Sequence, residues 1–307
     1  MEAGVASSAA GRARGRESGS VLAIASAYLA LTKPRVVSLL LLTTVAAMLV
    51  AEPAGPSLGL VLLTVLGGYL AAGGAGAINH YLERETDALM SRTRSRPLVQ
   101  GTIPPAHALA FGIALGVAAV VELALAVNAL AAALALAGLL GYVFVYTLWL
   151  KPLTPQNIVI GGAAGALPPL VGWAAATGGL TLDALWLFAI VFVWTPPHFW
   201  ALSLLIKDEY ARTGIPMLPV VRGEAATRAQ ILVYSLLLVA ITLLPVATGL
   251  FGGLYLGVAL GLGALFVALA GALVLHPSTA AAGRLFAYSL IYLALLFAAM
   301  ALDRVTG

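Results

Sequence analysis

The sequence contains no cysteine, which excludes disulfides, iron–sulfur clusters and thiolate chemistry together. Charge is the next scarcity. Only 9% of the 307 residues are Asp, Glu, Lys or Arg, against about 25% in a soluble domain, so an ordinary water-soluble enzyme is excluded as well. Hydrophobic residues make up 62%, in long uncharged runs. These are Val36–Ala51, Pro53–Leu82, Pro152–Leu182, Ala184–Ile206 and Leu285–Leu302, with Pro97–Leu150 broken only by Glu122, and Ala229–Gly283 unbroken. A spanning helix needs about 20 apolar residues. The two longest runs therefore hold two helices each, and the pattern predicts an all-α polytopic membrane protein with nine transmembrane helices.

The few charges are unevenly placed. The connections near Glu52, Asn128, Gly178–Asp183 and Gly252–Gly253 carry no Lys or Arg. Fifteen of the sixteen basic residues fall in the N-terminal segment and the alternate connections, Arg304 being the exception. The positive-inside rule then places the N-terminus and all charged motifs in the cytoplasm and the C-terminus outside. The expected location is the plasma (inner) membrane. Net charge of +4 thus sets orientation toward anionic lipid, and nucleic acid is not an expected partner. Residues 1–19, rich in Ser, Ala and Arg, read as a disordered tail, and 20–307 as a single transmembrane domain. Ser20–Thr32 is expected along the membrane interface, with the first span opening at Pro34, a residue suited to a first helical position.

Two cytoplasmic segments interrupt the apolar pattern. The first runs Asn79-His80-Tyr81-Leu82-Glu83-Arg84-Glu85-Thr86-Asp87 and on through Arg92, Arg94 and Arg96. No turn residue precedes it, so the second span is expected to continue as helix. Asn79, Glu83 and Asp87 then share one face and Glu85 points away. Oxygen donors in a stripe suit a hard divalent cation, and Mg2+ typically takes one or two carboxylates plus substrate phosphates. The bland alternative is a solvated helix end with local pairs such as Arg84–Asp87. The second segment, Lys207-Asp208-Glu209-Tyr210-Ala211-Arg212-Thr213, follows the sixth span. It echoes the first at an offset of 120 residues, which suggests two pseudo-repeated halves meeting around one site.

Acid clusters hold magnesium, magnesium and arginines hold diphosphate, and the bundle interior holds something long and apolar. A prenyl diphosphate meets all three conditions. Its ionisation needs the leaving diphosphate neutralised where charge develops, and an apolar cavity keeps water from the allylic cation. Aromatic faces stabilise that cation.

Asn79–Leu98 resembles the first signature of the UbiA superfamily of intramembrane prenyltransferases, Asn-x-x-x-Asp-x-x-x-Asp. Further motifs are similar to the heme-farnesylating branch of that superfamily. They are Tyr146-Thr147 before Lys151, Thr154–Gly162, Trp194-Thr195-Pro196-Pro197-His198-Phe199-Trp200 and Tyr210–Pro219. The resemblance runs from about Tyr28 to the last span. It implies a UbiA-type bundle that moves a farnesyl group from farnesyl diphosphate to the 2-vinyl group of heme B, giving heme O and diphosphate, with Mg2+ as cofactor. The product would pass to a downstream heme A synthase. The residues so implied are Asn79, Glu83, Asp87, Asp208 and His198 for catalysis, with Glu209 joining the first four as metal donors. Arg84, Arg92, Arg96, Lys151, Lys207 and Arg212 would hold the diphosphate. His198, Tyr146, Trp194, Trp200 and Tyr210 would line the heme or cation pocket. Two departures stand out: Glu83 replaces the usual Asp, and Tyr210 and Ile206 occupy the acidic positions of the superfamily's second signature, leaving Asp208 and Glu209 as the available carboxylates.

An intramembrane His such as His198 is a functional hypothesis by default, although a packed, hydrogen-bonded His is the plainer reading. His80 points away from Asn79's face, and His107 and His276 sit at span ends. Pro196-Pro197 and Pro168-Pro169 are expected to open room in their helices. Gly73–Gly76 and Gly161–Gly165 are expected to mark close helix packing. Other readings remain. A superfamily member acting on an aromatic quinone precursor differs only in its product. A transporter would place its polar groups near the midplane, and a non-catalytic assembly protein would not need the acidic stripe.

Overall fold

The computed structural model describes residues 21–306; the expected disordered tail, 1–19, lies outside the described residues. Among them, nine helices are long and apolar enough to cross a membrane, which makes this a multi-pass membrane protein. A short apolar helix, α1 (Val21–Leu31), precedes them. The spans are α2 (Pro34–Ala51), α3 (Leu58–Leu82) and α5 (Pro105–Ala126), with the short α4 (Arg84–Leu89) between the last two. The fourth span is continuous from α6 (Ala129–Leu140) through a π-helical segment (Gly141–Leu150) to a last turn, α7 (Lys151–Leu153). The fifth is split into α8 (Asn157–Gly165) and α9 (Pro168–Thr177). Then follow α10 (Leu182–Leu205), the short α11 (Lys207–Arg212) and α12 (Leu218–Val221), and the spans α13 (Gly223–Ala247), α14 (Gly253–Leu275) and α15 (Thr279–Thr306).

Glycine sets how closely these helices approach. A Cβ on Gly74 would lie 2.7 Å from the Gly112 carbonyl oxygen, and one on Gly172 would lie 2.1 Å from that of Thr44. Such contacts let backbones touch where α3 crosses α5 and α2 crosses α9. Gly161 leaves room for the Tyr146 ring in the same way. The expected packing role of both glycine runs holds.

The two proline pairs behave differently. The fifth span breaks before Pro168, which with Pro169 starts α9. The sixth span runs unbroken through Pro196 and Pro197, both buried. The helix stays continuous across the pair, so no break opens there.

The second span does not continue as expected. Glu83 has φ −94° and ψ 5°, which ends α3 and re-aims the chain into α4. Ile206 does the same between α10 and α11 (φ −122°, ψ 29°), and both short helices are six residues long. The sequence echo is therefore also an echo in backbone shape.

Candidate active site

The α1–α2 corner builds the first wall. Thr32 hydroxyl meets the Leu29 carbonyl at 2.8 Å and the Tyr69 hydroxyl at 2.7 Å. This fixes Lys33 in a left-handed conformation, φ 52°, which costs energy for a residue with a Cβ. The strained corner sends the Lys33 side chain inward. Its Nζ donates to Asn79 Oδ1 at 2.6 Å and approaches the Tyr142 hydroxyl at 3.4 Å. Asn79, 1% exposed, is held on its other side by Nδ2 donating to Thr147 Oγ1 at 3.2 Å.

The π-helical segment builds the second wall. Its carbonyls accept from five residues on, as Lys151 N–H does from Tyr146, and Thr147 Oγ1 follows the same wide turn to the Tyr142 carbonyl at 2.9 Å. Tyr142 and Lys151 are nine residues apart, two and a half turns of an α-helix at 3.6 residues per turn. An α-helix would set them on opposite faces, whereas the wider turns bring Tyr142, Tyr146, Thr147 and Lys151 to one face. The Tyr142 and Tyr146 rings lie 5.6 Å apart. Lys33 sits 5.7 Å from the Tyr142 ring and Lys151 5.9 Å from that of Tyr146.

Both carboxylates of the first motif are paired. Glu83 is bridged by Lys151 and Asp87 by Arg96. Thr93 hydroxyl donates to the Asp87 carbonyl at 2.9 Å, closing the loop that carries Arg96. Burial pushes the Glu83 carboxyl up, but Lys151, Lys33 and Arg96 together outweigh it and hold Glu83 below the usual range. For Asp87, burial wins over Arg96, and the carboxyl is held above its ordinary value. Burial, reinforced by Arg96, draws the Lys33 ammonium down to about 7. The alternative of a solvated helix end with an Arg84–Asp87 pair does not hold, because the stripe is a buried cluster: Asp87 is 3% exposed, and Arg84 bonds Glu85 at 3.2 Å. The Glu83 turn explains this, because it carries Asp87 inward and Arg84 outward.

Other expected site residues lie around or apart from this cluster. Tyr210, buried, lies within electrostatic reach of Tyr146 and Lys151, and Arg92 within reach of Tyr146. Ser91 donates to Glu209, joining the two charged segments, and Glu209 Oε2 is buried without a partner. Arg84 folds back over the Tyr81 ring at 4.8 Å. Lys207 pairs with Glu224 at 2.9 Å, Asp208 is exposed, and Arg212 donates to the Asp208 carbonyl at 3.3 Å. His198 is stacked between Trp194 (4.3 Å) and Phe286 (4.8 Å), and Nδ1 meets Ser289 Oγ at 2.7 Å. Trp194 donates to the Ser289 carbonyl at 2.8 Å. Trp200 packs edge-on against Tyr234 of α13. Lys33, Tyr142 and Thr147 belong to the cluster without having been expected there; Lys33-Pro34 at the mouth of the first span and the Tyr146-Thr147 motif were the legible signals.

Among the described residues, no three His, Cys, Asp or Glu side chains form a ready-made metal cage. The donor set still fits a hard cation that keeps room for substrate oxygens. It offers two carboxylates, each with one oxygen outside its ion pair; Glu209, expected as a further donor, is not grouped with them as a third ligand among the described residues.

The UbiA prenyltransferase family model matches residues 40–300. The chain belongs to this family. It is 56% identical over 278 residues to a protoheme IX farnesyltransferase of Roseiflexus sp. (strain RS-1), covering 91% of this chain and 52% of that protein. It is 53% identical to that of Alkalilimnicola ehrlichii, covering 90% and 92%. The chain thus spans about half the length of the first of these relatives and nearly all of the second. Solved structures share the fold at low identity. One is a digeranylgeranylglyceryl phosphate synthase (TM-score 0.77, 18% identity, 92% of this chain and 99% of that one). Another is a UbiA homolog from Archaeoglobus fulgidus bound to DMAPP and Mg2+ (TM-score 0.60, 17%, 89% and 98%).

Proposed function

We propose that this UbiA-family protein transfers a farnesyl group from farnesyl diphosphate to the 2-vinyl group of heme B, releasing diphosphate and heme O. The observation that carries this is the buried cluster of Lys33, Arg96 and Lys151 around Asn79, Glu83 and Asp87. The choice of heme as acceptor rests on the protoheme IX farnesyltransferases that the chain resembles over 90% or more of its length.

With Lys33 protonated, the three cations outnumber the two carboxylates by one charge, and an arriving anion favours that protonated state. Lys33, Arg96 and Lys151 donate to diphosphate oxygens as negative charge builds on them during carbon–oxygen cleavage. Glu83 and Asp87 would offer carboxylate oxygens to Mg2+, which would supply Lewis-acid neutralisation of the leaving group. Asn79 stays oriented by its bonds to Lys33 and Thr147. The Tyr142 and Tyr146 rings face the same space and stabilise an allylic cation by their π faces. The apolar bundle keeps water from quenching it. The aromatic stack around His198 serves the acceptor side.

The protein would sit in the plasma (inner) membrane with this cluster in the cytoplasm, as the division of Lys and Arg argues, and would hand heme O to a heme A-forming enzyme. Anaerobic incubation of the purified protein with heme B, farnesyl diphosphate and Mg2+, read by mass, should yield heme O. A prenylated phenol from a quinone precursor, with heme B unchanged, would move the reading to that branch.

A further inference from the structure

Resting on the diphosphate reading above, we propose that Lys151 and Arg96 exchange partners when substrate binds. In the ligand-free protein they neutralise Glu83 and Asp87. On binding they pass to diphosphate oxygens, while a divalent cation takes their place on the two carboxylates.

The argument begins with burial. The side chains of the Lys151–Glu83 pair are 16% and 14% exposed, and those of the Arg96–Asp87 pair 20% and 4%. A buried charge stripped of its partner costs several kcal/mol. Lys151 cannot leave Glu83 for an anion unless another cation arrives, and a metal ion approaching alone meets carboxylates already neutralised. Each ligand by itself must break pairs that the other would replace. Together they convert two internal pairs into metal–carboxylate and cation–phosphate contacts, with no charge left bare.

Geometry permits the swap without moving a helix. Lys151 ends the π-helical segment, and Arg96 rides the loop closed by Thr93 on the Asp87 carbonyl. Both are long side chains anchored at the rim of the cluster. The two ligands therefore bind as a coupled pair, and by linkage each raises the other's affinity by the same factor. Departure of the diphosphate product re-forms the pairs, so the emptied site never carries uncompensated carboxylates.

The test uses the purified full chain in detergent. Mn2+ alone is titrated by electron paramagnetic resonance, and inorganic pyrophosphate by calorimetry with and without Mg2+. Lys151→Met should bind Mn2+ more tightly by on the order of ten-fold and pyrophosphate with Mg2+ more weakly. Glu83→Gln should bind metal-free pyrophosphate more tightly by a similar factor and Mn2+ more weakly. An unfolded variant loses both ligands, so a gain for one ligand cannot arise from misfolding. Arg96→Met and Asp87→Asn repeat the comparison on the second pair should either variant fail to fold. Glu85→Gln removes the same charge from an exposed neighbour and should leave both constants unchanged.

The exchange is overturned if a folded Lys151→Met binds Mn2+ no better than wild type. It is equally overturned if a folded Glu83→Gln binds metal-free pyrophosphate no better. Matching shifts in Glu85→Gln would assign the effect to summed charge and overturn it too. Wild-type protein that binds both probes, with unshifted variants, sinks the exchange alone. Wild-type protein that binds neither sinks the diphosphate reading with it.

Discussion

Lys33 Nζ and Asn79 Oδ1 meet at 2.6 Å across forty-six residues of chain. The contact ties the entry of the first span to the end of the second. It also buries an ammonium whose counter-charges among the described residues are the shared carboxylates of Glu83 and Asp87. Burial, then Arg96, lowers its pKa from 10.5 to about 7. Between those values the unfolded chain holds a proton that the folded chain has released, so stability should rise as pH climbs from about 7 toward 10.5. Thermal melting between pH 7 and 9 should show this slope, and Lys33→Met should flatten it. An equal slope in the variant would mean that Lys33 is not the source.

Asp87→Asn and Glu83→Gln should each lower turnover by on the order of 10²–10³, the usual loss for one transition-state electrostatic group. Both should also melt at lower temperature, because each leaves a half-buried Arg96 or Lys151 without its counter-charge. Glu85→Gln should do neither, since that side chain is 88% exposed. Equal losses at 83, 85 and 87 would show that position within the cluster does not matter.

His198→Ala should lower heme conversion while leaving the KM for farnesyl diphosphate near wild type, because no contact joins His198 to the charged cluster among the described residues. Ser289→Ala orphans Nδ1 and should cost about 1–3 kcal/mol of stability. Heme conversion by His198→Ala at the native rate would reduce this histidine to packing.

Gly172→Ala should be destabilising by about 1–3 kcal/mol or more, since its new Cβ would meet the Thr44 carbonyl oxygen at 2.1 Å. Gly257→Ala meets nothing within 4 Å and should be neutral. Melting curves of the two variants in one detergent compare them directly.

Cysteines placed at Ser91 and Thr213, the first exposed and the second half-buried, should react with an impermeant thiol reagent only from the cytoplasmic side. Labelling of either from outside would overturn the proposed orientation.

The nine spans were legible because bilayer thickness imposes its length directly on uncharged runs. The acidic stripe and its echo were legible because charge is so rare here. The turn at Glu83 was not, since no Gly, Pro or Asn marks it. It arises where the buried pair with Lys151, sixty-eight residues away, meets the end of a helix. The inward path of Lys33 depends on a left-handed corner that sequence alone assigns to glycine. The outward path of Arg84 follows from the same Glu83 turn, so the expectation that it joins the diphosphate group had no local cue against it. The sandwich around His198 draws Phe286 and Ser289 from the ninth span, a contact that spacing within the sixth cannot show.

The π-helical segment has a further consequence for the lineage of the site. Its wide ladder accommodates surplus residues without breaking the helix that crosses the membrane. Removing a single residue between 141 and 150 would let the ladder tighten toward the ordinary spacing and swing Tyr142 out of line with Lys151. The fourth span therefore behaves as a cam whose setting is one residue deep. Length variation that a surface loop absorbs without notice would here disconnect the aromatic rings from the lysine while leaving the span itself intact.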